Sequence, residues 1–199
     1  MCSLIEKGAA QAMKTFLASI AGNCFLISRR LNSTIYALSS GHGKCGVALI
    51  RVSGPKSSTA LNILTKTENY TPRKAYLRKL RHPSSGIILD QAITVWFPGP
   101  ASFTGEDVLE LQVHGGSAVV KAVLEALGAI EGLRPAKAGE FTKRAFYSGK
   151  LDLTEVEGLA DLINAETEHQ RRQAFKQLDG DQHRLILISL LRCRWSGDL

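Results

Sequence analysis

The amino-acid sequence predicts an α+β fold. Three observations carry this expectation: short β-branched runs with period-two alternation, stretches whose apolar residues recur at helical spacing, and an order of elements without strict strand–helix–strand alternation. Residues 34–38 and 47–53 are apolar, β-branched runs on either side of a glycine-rich turn, and both predict strands. Residues 57–64 predict a helix, and residues 87–97 and 108–114 predict further strands. Residues 117–127 predict a helix with Val119, Val120, Val123, Leu124 and Leu127 on one face and Gly128 closing the end.

The strand over 108–114 has a definite polarity. Leu109, Leu111 and Val113 alternate with Glu110, Gln112 and His114, so one face buries apolar side chains and the other offers three polar groups to a ligand, until Gly115 and Gly116 let the backbone turn. After Lys150 the character becomes helical. Thr154 and Glu157 predict a capping box, Val156, Leu159, Leu162 and Ile163 recur at helical spacing, and a polar stretch over 166–178 carries Phe175 and Leu178. Two helices with so few apolar residues cannot bury a core, so they call for partner helices.

Bulk properties set bounds. A chain of 199 residues with 44% hydrophobic residues reads as a soluble globular protein of one or two domains rather than a disordered one. No apolar run reaches the ~18 residues that would cross a bilayer, which predicts no membrane association. The net charge of +7 permits an RNA or an anionic ligand as partner. Part of that charge has another source, because residues 1–33 contain Lys7, Lys14, Arg29 and Arg30 but only Glu6 as an acid, the composition of a transit peptide. A short amphipathic helix of the mature protein is the alternative there, and Met13 is an alternative start. Cys2, Cys24, Cys45 and Cys193 are scattered without zinc-ligand spacing and predict free thiols in a reducing compartment.

Several motifs carry candidate chemistry. Gly41-His42-Gly43-Lys44-Cys45-Gly46 matches the dinucleotide fingerprint, but a strand rather than a helix follows it, so a hairpin turn is expected. Arg51 interrupts an apolar run, either as a surface residue of an edge strand or as a buried cation awaiting an anion. Glu110 is either a solvent-facing carboxylate or a bidentate acceptor for two adjacent donors. Lys150, after Gly149, is either an ordinary exposed lysine or a flexible cation for a ligand carboxylate. Glu106, Asp107 and His114 are further polar candidates; His114 could simply satisfy loop backbone groups. No metal site and no catalytic residue is assigned. The chain has no G-x-x-x-x-G-K-[ST] loop, so no GTP site is assigned either.

Two dense motifs, Ser102 to Gly116 and Ala138 to Phe146, together with Ile50-Arg51-Val52-Ser53-Gly54-Pro55 and Trp96-Phe97-Pro98-Gly99-Pro100, resemble the N-terminal part of the tRNA-modification GTPases of the MnmE/TrmE family in its mitochondrial form. The resemblance runs from about Thr34 to about Gly180. It implies a mitochondrial transit peptide over 1–33, a folate-binding and dimerising domain over 34–150, the start of a helical domain over 151–181 and a divergent tail over 182–199, in a form truncated before the GTPase domain. It also implies that Arg51, Glu110 and Lys150 bind a reduced tetrahydrofolate (5-formyl- or methylene-tetrahydrofolate), with Glu110 reading the pterin edge. The implied assembly is a homodimer, for which residues 87–97, ending in Trp96-Phe97, could supply apolar surface. In the full-length family a flavin-binding partner protein, tRNA and GTP take part in wobble-uridine modification in the mitochondrial matrix. Cys193 lacks the neighbours of the family's terminal cysteine motif and inherits no role. The alternatives from other classes are a folate-dependent aminomethyltransferase-like enzyme and an RNA-binding module.

Overall fold

The computed structural model describes residues 33–41 and 43–179. The expected transit peptide up to residue 32, His42 of the glycine-rich turn and the expected tail over 182–199 lie outside the described residues. Within them the chain forms two compact units: one runs up to Gly99 and resumes over Glu106–Ala136, and the other takes Pro100–Gly105 and the chain from Lys137 onward.

The first unit is a six-stranded sheet with two helices. Its elements are β1 (Thr34–Leu38), β2 (Cys45–Ser53), α1 (Ser57–Thr65), β3 (Tyr76–Arg81), β4 (Ile88–Phe97), β5 (Val108–Gly115), α2 (Ser117–Gly128) and β6 (Leu133–Pro135). The strands lie in the order β3-β4-β5-β2-β1-β6, antiparallel except for the parallel pair β1–β6. This is the expected α+β arrangement.

Alternation decides which residues enter the core. Ala48, Ile50 and Val52 of β2 and Leu109, Leu111 and Val113 of β5 pack with Ala60, Leu61 and Leu64 of α1 and with Val123, Ala126 and Leu127 of α2. All are essentially solvent-free, and burying such side chains stabilises the unit by about 1.5–3 kcal/mol for each large one. The intervening residues face the other way, where Val47, Leu77 and Ile93 remain substantially exposed. Helices of this unit therefore cover one face of the sheet and leave the other open. Trp96 is a correction to the expected self-association surface, because it packs against the core, while Ile93 and Val95 occupy the open face.

Close approaches fix the connections. The Ser53-Gly54-Pro55 motif turns the chain into α1: Gly54 has φ +132, and a Cβ there would lie 2.7 Å from the Thr34 Cα. Its N–H donates to the Asp107 carbonyl, and the Ser57 hydroxyl bridges the carbonyls of Gly54 and Asp107. Gly128 is the last residue of α2 rather than its closing cap, and a Cβ there would meet the Tyr36 hydroxyl at 2.7 Å. The glycine serves helix-to-sheet contact.

The second unit contains α3 (Glu140–Tyr147), α4 (Leu153–Asn164) and α5 (Glu168–Leu178). The expected Thr154–Glu157 capping box is replaced by one formed two residues earlier: the Asp152 carboxylate accepts from the Glu155 N–H, and the Glu155 carboxylate accepts from the Asp152 N–H. Asp is as good an N-cap as Thr, and the earlier start gives α4 another half-turn. A second box, Thr167 with Gln170, opens α5. Leu153 and Ile163 are 64% and 76% exposed. With Phe146, Val156, Leu159 and Ala160 they line an apolar groove of about 420 Å³.

Candidate ligand site on the open face of the sheet

The open face carries a charged pair on the two central strands. β2 and β5 pair antiparallel with Arg51 directly opposite Glu110, and β2 lies between β5 and β1. Arg51 is thus no edge-strand residue. Of the two readings its sequence context allowed, the partly buried cation is the observed one, and its anion is Glu110: Nε and Nη2 of Arg51 donate to Glu110 Oε1 at 3.0 and 2.8 Å. Both side chains retain about a fifth of their accessible surface (21% and 20%), so the pair is sheltered yet reachable.

This geometry has a chemical consequence. Glu110 Oε1 already accepts two N–H groups, whereas Oε2 accepts none among the described residues. A ligand presenting two parallel donors would either use Oε2 alone or draw Oε1 away from Arg51. The carboxylate is held in place by a guanidinium before any ligand arrives, which is the kind of preorganisation that lowers the cost of binding.

Two residues along β2 from Arg51, a second polar contact reaches the segment just before β5. Ser53 lies on the same face as Arg51, is fully buried, and donates its hydroxyl to Glu106 Oε2 at 2.8 Å. The structure therefore brings Glu106 to the site, and adds Ser53, which sequence reasoning missed; its position two residues after Arg51 on a strand was the available signal. Asp107 has a different task, since its carboxylate accepts from the Gly99 N–H and its carbonyl holds the Gly54 turn.

His114 belongs to another contact at the far end of β5. Its backbone N–H donates to Asp90 Oδ2 at 2.8 Å and its Nδ1 lies 2.7 Å from Asp90 Oδ1. The ring pairs with a carboxylate instead of satisfying a loop. Burial works against ionisation of Asp90, but the His114 backbone N–H, the His114 ring and the Gln91 N–H outweigh it, so the carboxyl is held below its ordinary range.

Lys150 lies in the second unit. It is exposed, its N–H donates to the Ala145 carbonyl, and its Cγ lies 3.7 Å from the point where Gly105 would carry a Cβ. Gly105, at φ +78, has no room for a side chain, because Ser148 Oγ would be 2.7 Å away; that hydroxyl donates to the Thr104 carbonyl. The Thr104-Gly105 loop is in this way fastened to the end of α3. The structure brings Arg51, Glu110, Ser53 and Glu106 together in the first unit, and places Lys150 beside Gly105 in the second.

The glycine-rich segment runs into β2, which already includes Cys45 and Gly46; the Ser39 N–H donates to the Leu49 carbonyl, and a strand rather than a helix follows, as expected.

Comparison with known proteins accounts for the placement of these motifs. The model of the family described as GTP-binding protein TrmE N-terminus matches residues 34–150. The mitochondrial 5-taurinomethyluridine-tRNA synthase subunit GTPB3 of Danio rerio is 59% identical over 174 residues, covering 84% of this chain and 35% of that protein. Its Homo sapiens counterpart is 65% identical over 150 residues, covering 75% of this chain and 30% of that protein. The tRNA modification GTPase MnmE of a Methylobacterium strain is 56% identical over 156 residues, 78% of this chain and 36% of that protein. The chain spans about a third of the length of these curated relatives. By the extent of the family match and the order of its motifs, this chain belongs to the TrmE N-terminal family.

Proposed function

We propose that this chain is the reduced-folate-binding, self-associating portion of a protein that acts in wobble-uridine modification of mitochondrial tRNA. One observation carries the reading: a preorganised Arg51–Glu110 pair on the central strands of a sheet face that the unit's own helices leave open. A pterin ring offers an N–H beside an exocyclic amino group, and a fixed carboxylate is the side chain that accepts such a pair. Glu110 is the pterin reader, Arg51 orients it, and Lys150 supplies a cation for the ligand's anionic portion. The folate, when bound, supplies the one-carbon unit, while this chain's residues bind and orient it.

The relatives' names support the setting: they act on tRNA, and those from animals are mitochondrial. In the same reading the protein works in the mitochondrial matrix with a flavin-binding partner and tRNA, and GTP is used only where the chain is joined to the family's GTPase domain.

The test is calorimetric titration of 5-formyltetrahydrofolate into the 199-residue chain. Saturable binding with one site per chain is expected. No heat of binding to a protein that is folded by circular dichroism would overturn the reading.

A further inference from the structure

The second unit leaves an apolar stripe uncovered. On α4, Leu153, Val156, Leu159, Ala160 and Ile163 recur at the three- and four-residue spacing that makes one helix face, and with Phe146 of α3 they wall the groove of about 420 Å³. α5 does not fill it, because it meets α4 on the opposite side: a Cβ on Gly158 would lie 2.7 Å from the Leu178 backbone N and 3.1 Å from the Ala174 carbonyl oxygen. Phe146, Leu153 and Ile163 therefore remain exposed. Taking such side chains out of water is favourable, and a contiguous apolar face of this kind marks a contact surface.

Sequence and reach both point to one occupant. Beyond the described residues the chain carries 185–191, apolar at every position except Ser189. It follows α5 closely. The six residues 179–184 span up to about 20 Å when extended, which is enough to pass around a helix about 10–12 Å across from the Gly158 side to the stripe. From Leu153 to Ile163 the stripe runs about 15 Å along the helix axis, a length that seven residues can cover. Residues 1–32 also contain apolar stretches, but they lead into β1 of the other unit.

Charge agrees with this choice. α4 contains Glu155, Glu157 and Asp161 and neither lysine nor arginine; on the helical wheel Glu157 and Asp161 border the stripe on one side and Glu155 on the other. Arg184, Arg192 and Arg194 bracket the apolar run with no acid between them. The cation of the facing wall, Lys143, is held over the Tyr147 ring. We propose that residues 185–191 dock in the α3–α4 groove of their own chain, with the flanking arginines toward the acids that border it. The docked run then closes the groove to any other helix. This contact lies within the second unit and does not depend on folate binding.

The experiment uses the native Cys193, two residues past the apolar run, as the site of a nitroxide label in the full 199-residue chain with Cys2, Cys24 and Cys45 replaced by serine. The labelled, isotope-enriched protein is diluted into an excess of protein carrying neither isotope nor label, so that only contacts within one chain are read. Amide resonances of residues 156–163 should lose most of their intensity relative to the sample with reduced label, and the loss should persist at high salt because the contact is mainly apolar. The double variant Leu187→Asp, Leu190→Asp should restore the intensity, as should Ile163→Asp, whose exposed position lets circular dichroism remain that of the wild type. Full intensity in the diluted sample would overturn the proposal, leaving the groove to a second copy or to a different partner. Loss that survives in the double variant, or that disappears with salt alone, would equally rule out an apolar contact made by 185–191.

Discussion

At the scale of single residues, the site rests on a carboxylate gripped by a guanidinium, and this makes specific demands on substitution. Glu110→Gln presents one acceptor oxygen and turns an amino group toward the ligand's donors, so affinity for 5-formyltetrahydrofolate should fall by about 1.5–3 kcal/mol, roughly ten- to a hundredfold. Arg51→Ala should weaken binding by a similar amount if it acts by orienting Glu110. The two effects should then overlap, with Arg51→Ala costing little in a Glu110→Gln background; full additivity would instead place Arg51 on the ligand itself. Sequence alone left each of these residues with two readings. It could not show that Arg51 and Glu110 are cross-strand neighbours, because register between segments 59 residues apart is a tertiary property.

Asp90 illustrates a residue that local pattern hides altogether. It gains importance only because β4 lies beside β5, which brings His114 to it. Its carboxyl is held below the ordinary value near ~3.9, so its contribution to stability is full above about pH 4 and disappears as pH falls through the folded-state value. Asp90→Asn should lower stability at pH 7 by on the order of 1 kcal/mol and flatten the acid limb of the melting temperature against pH. An acid limb unchanged from wild type would assign that pH dependence to other carboxyls.

At the scale of elements, legibility followed the strength of the periodic signal. The strands over 34–38, 47–53, 87–97 and 108–114 were readable because apolar and β-branched residues mark them, and the helices over 57–64 and 117–127 because their apolar stripes are wide. β3 was not, since Arg78, Lys79 and Arg81 mask the alternation of Tyr76, Leu80 and their neighbours; β6 has three residues and α3 only eight. The α4–α5 contact gives an element-scale prediction. A glycine inside a helix ordinarily gains up to about 1 kcal/mol on replacement by alanine. At Gly158 a Cβ would lie 2.7 Å from the Leu178 backbone N and 2.9 Å from the Gln177 Cβ, and backbone atoms cannot yield as a flexible side chain would. Gly158→Ala should therefore destabilise the helical pair by about 1–3 kcal/mol, read as a lower urea midpoint of its helical signal. A higher midpoint would mean that the two helices separate at little cost.

At the scale of the whole molecule, the open face of the sheet is the feature that most requires a partner. Val47, Leu77 and Ile93 are 61%, 56% and 39% exposed, and they lie on the same face as the Arg51–Glu110 pair. A second copy of the chain is the occupant that fits the proposed function, because an isologous contact across this face would remove apolar surface from water and shelter both ligand sites at once. A stable contact of this kind buries about 800 Å² on each partner, which is within reach of a six-stranded sheet. The chain should accordingly sediment as a dimer at micromolar concentration. Ile93→Lys places a charge amid the open face without touching the buried side, so it should leave the fold intact by circular dichroism, shift the protein to monomer and weaken folate binding with it. Wild-type protein that remains monomeric throughout the concentration series would remove self-association from the proposed function. A variant that is monomeric yet binds folate at full strength would show that one copy's Arg51–Glu110 pair suffices, leaving the open face to a different partner.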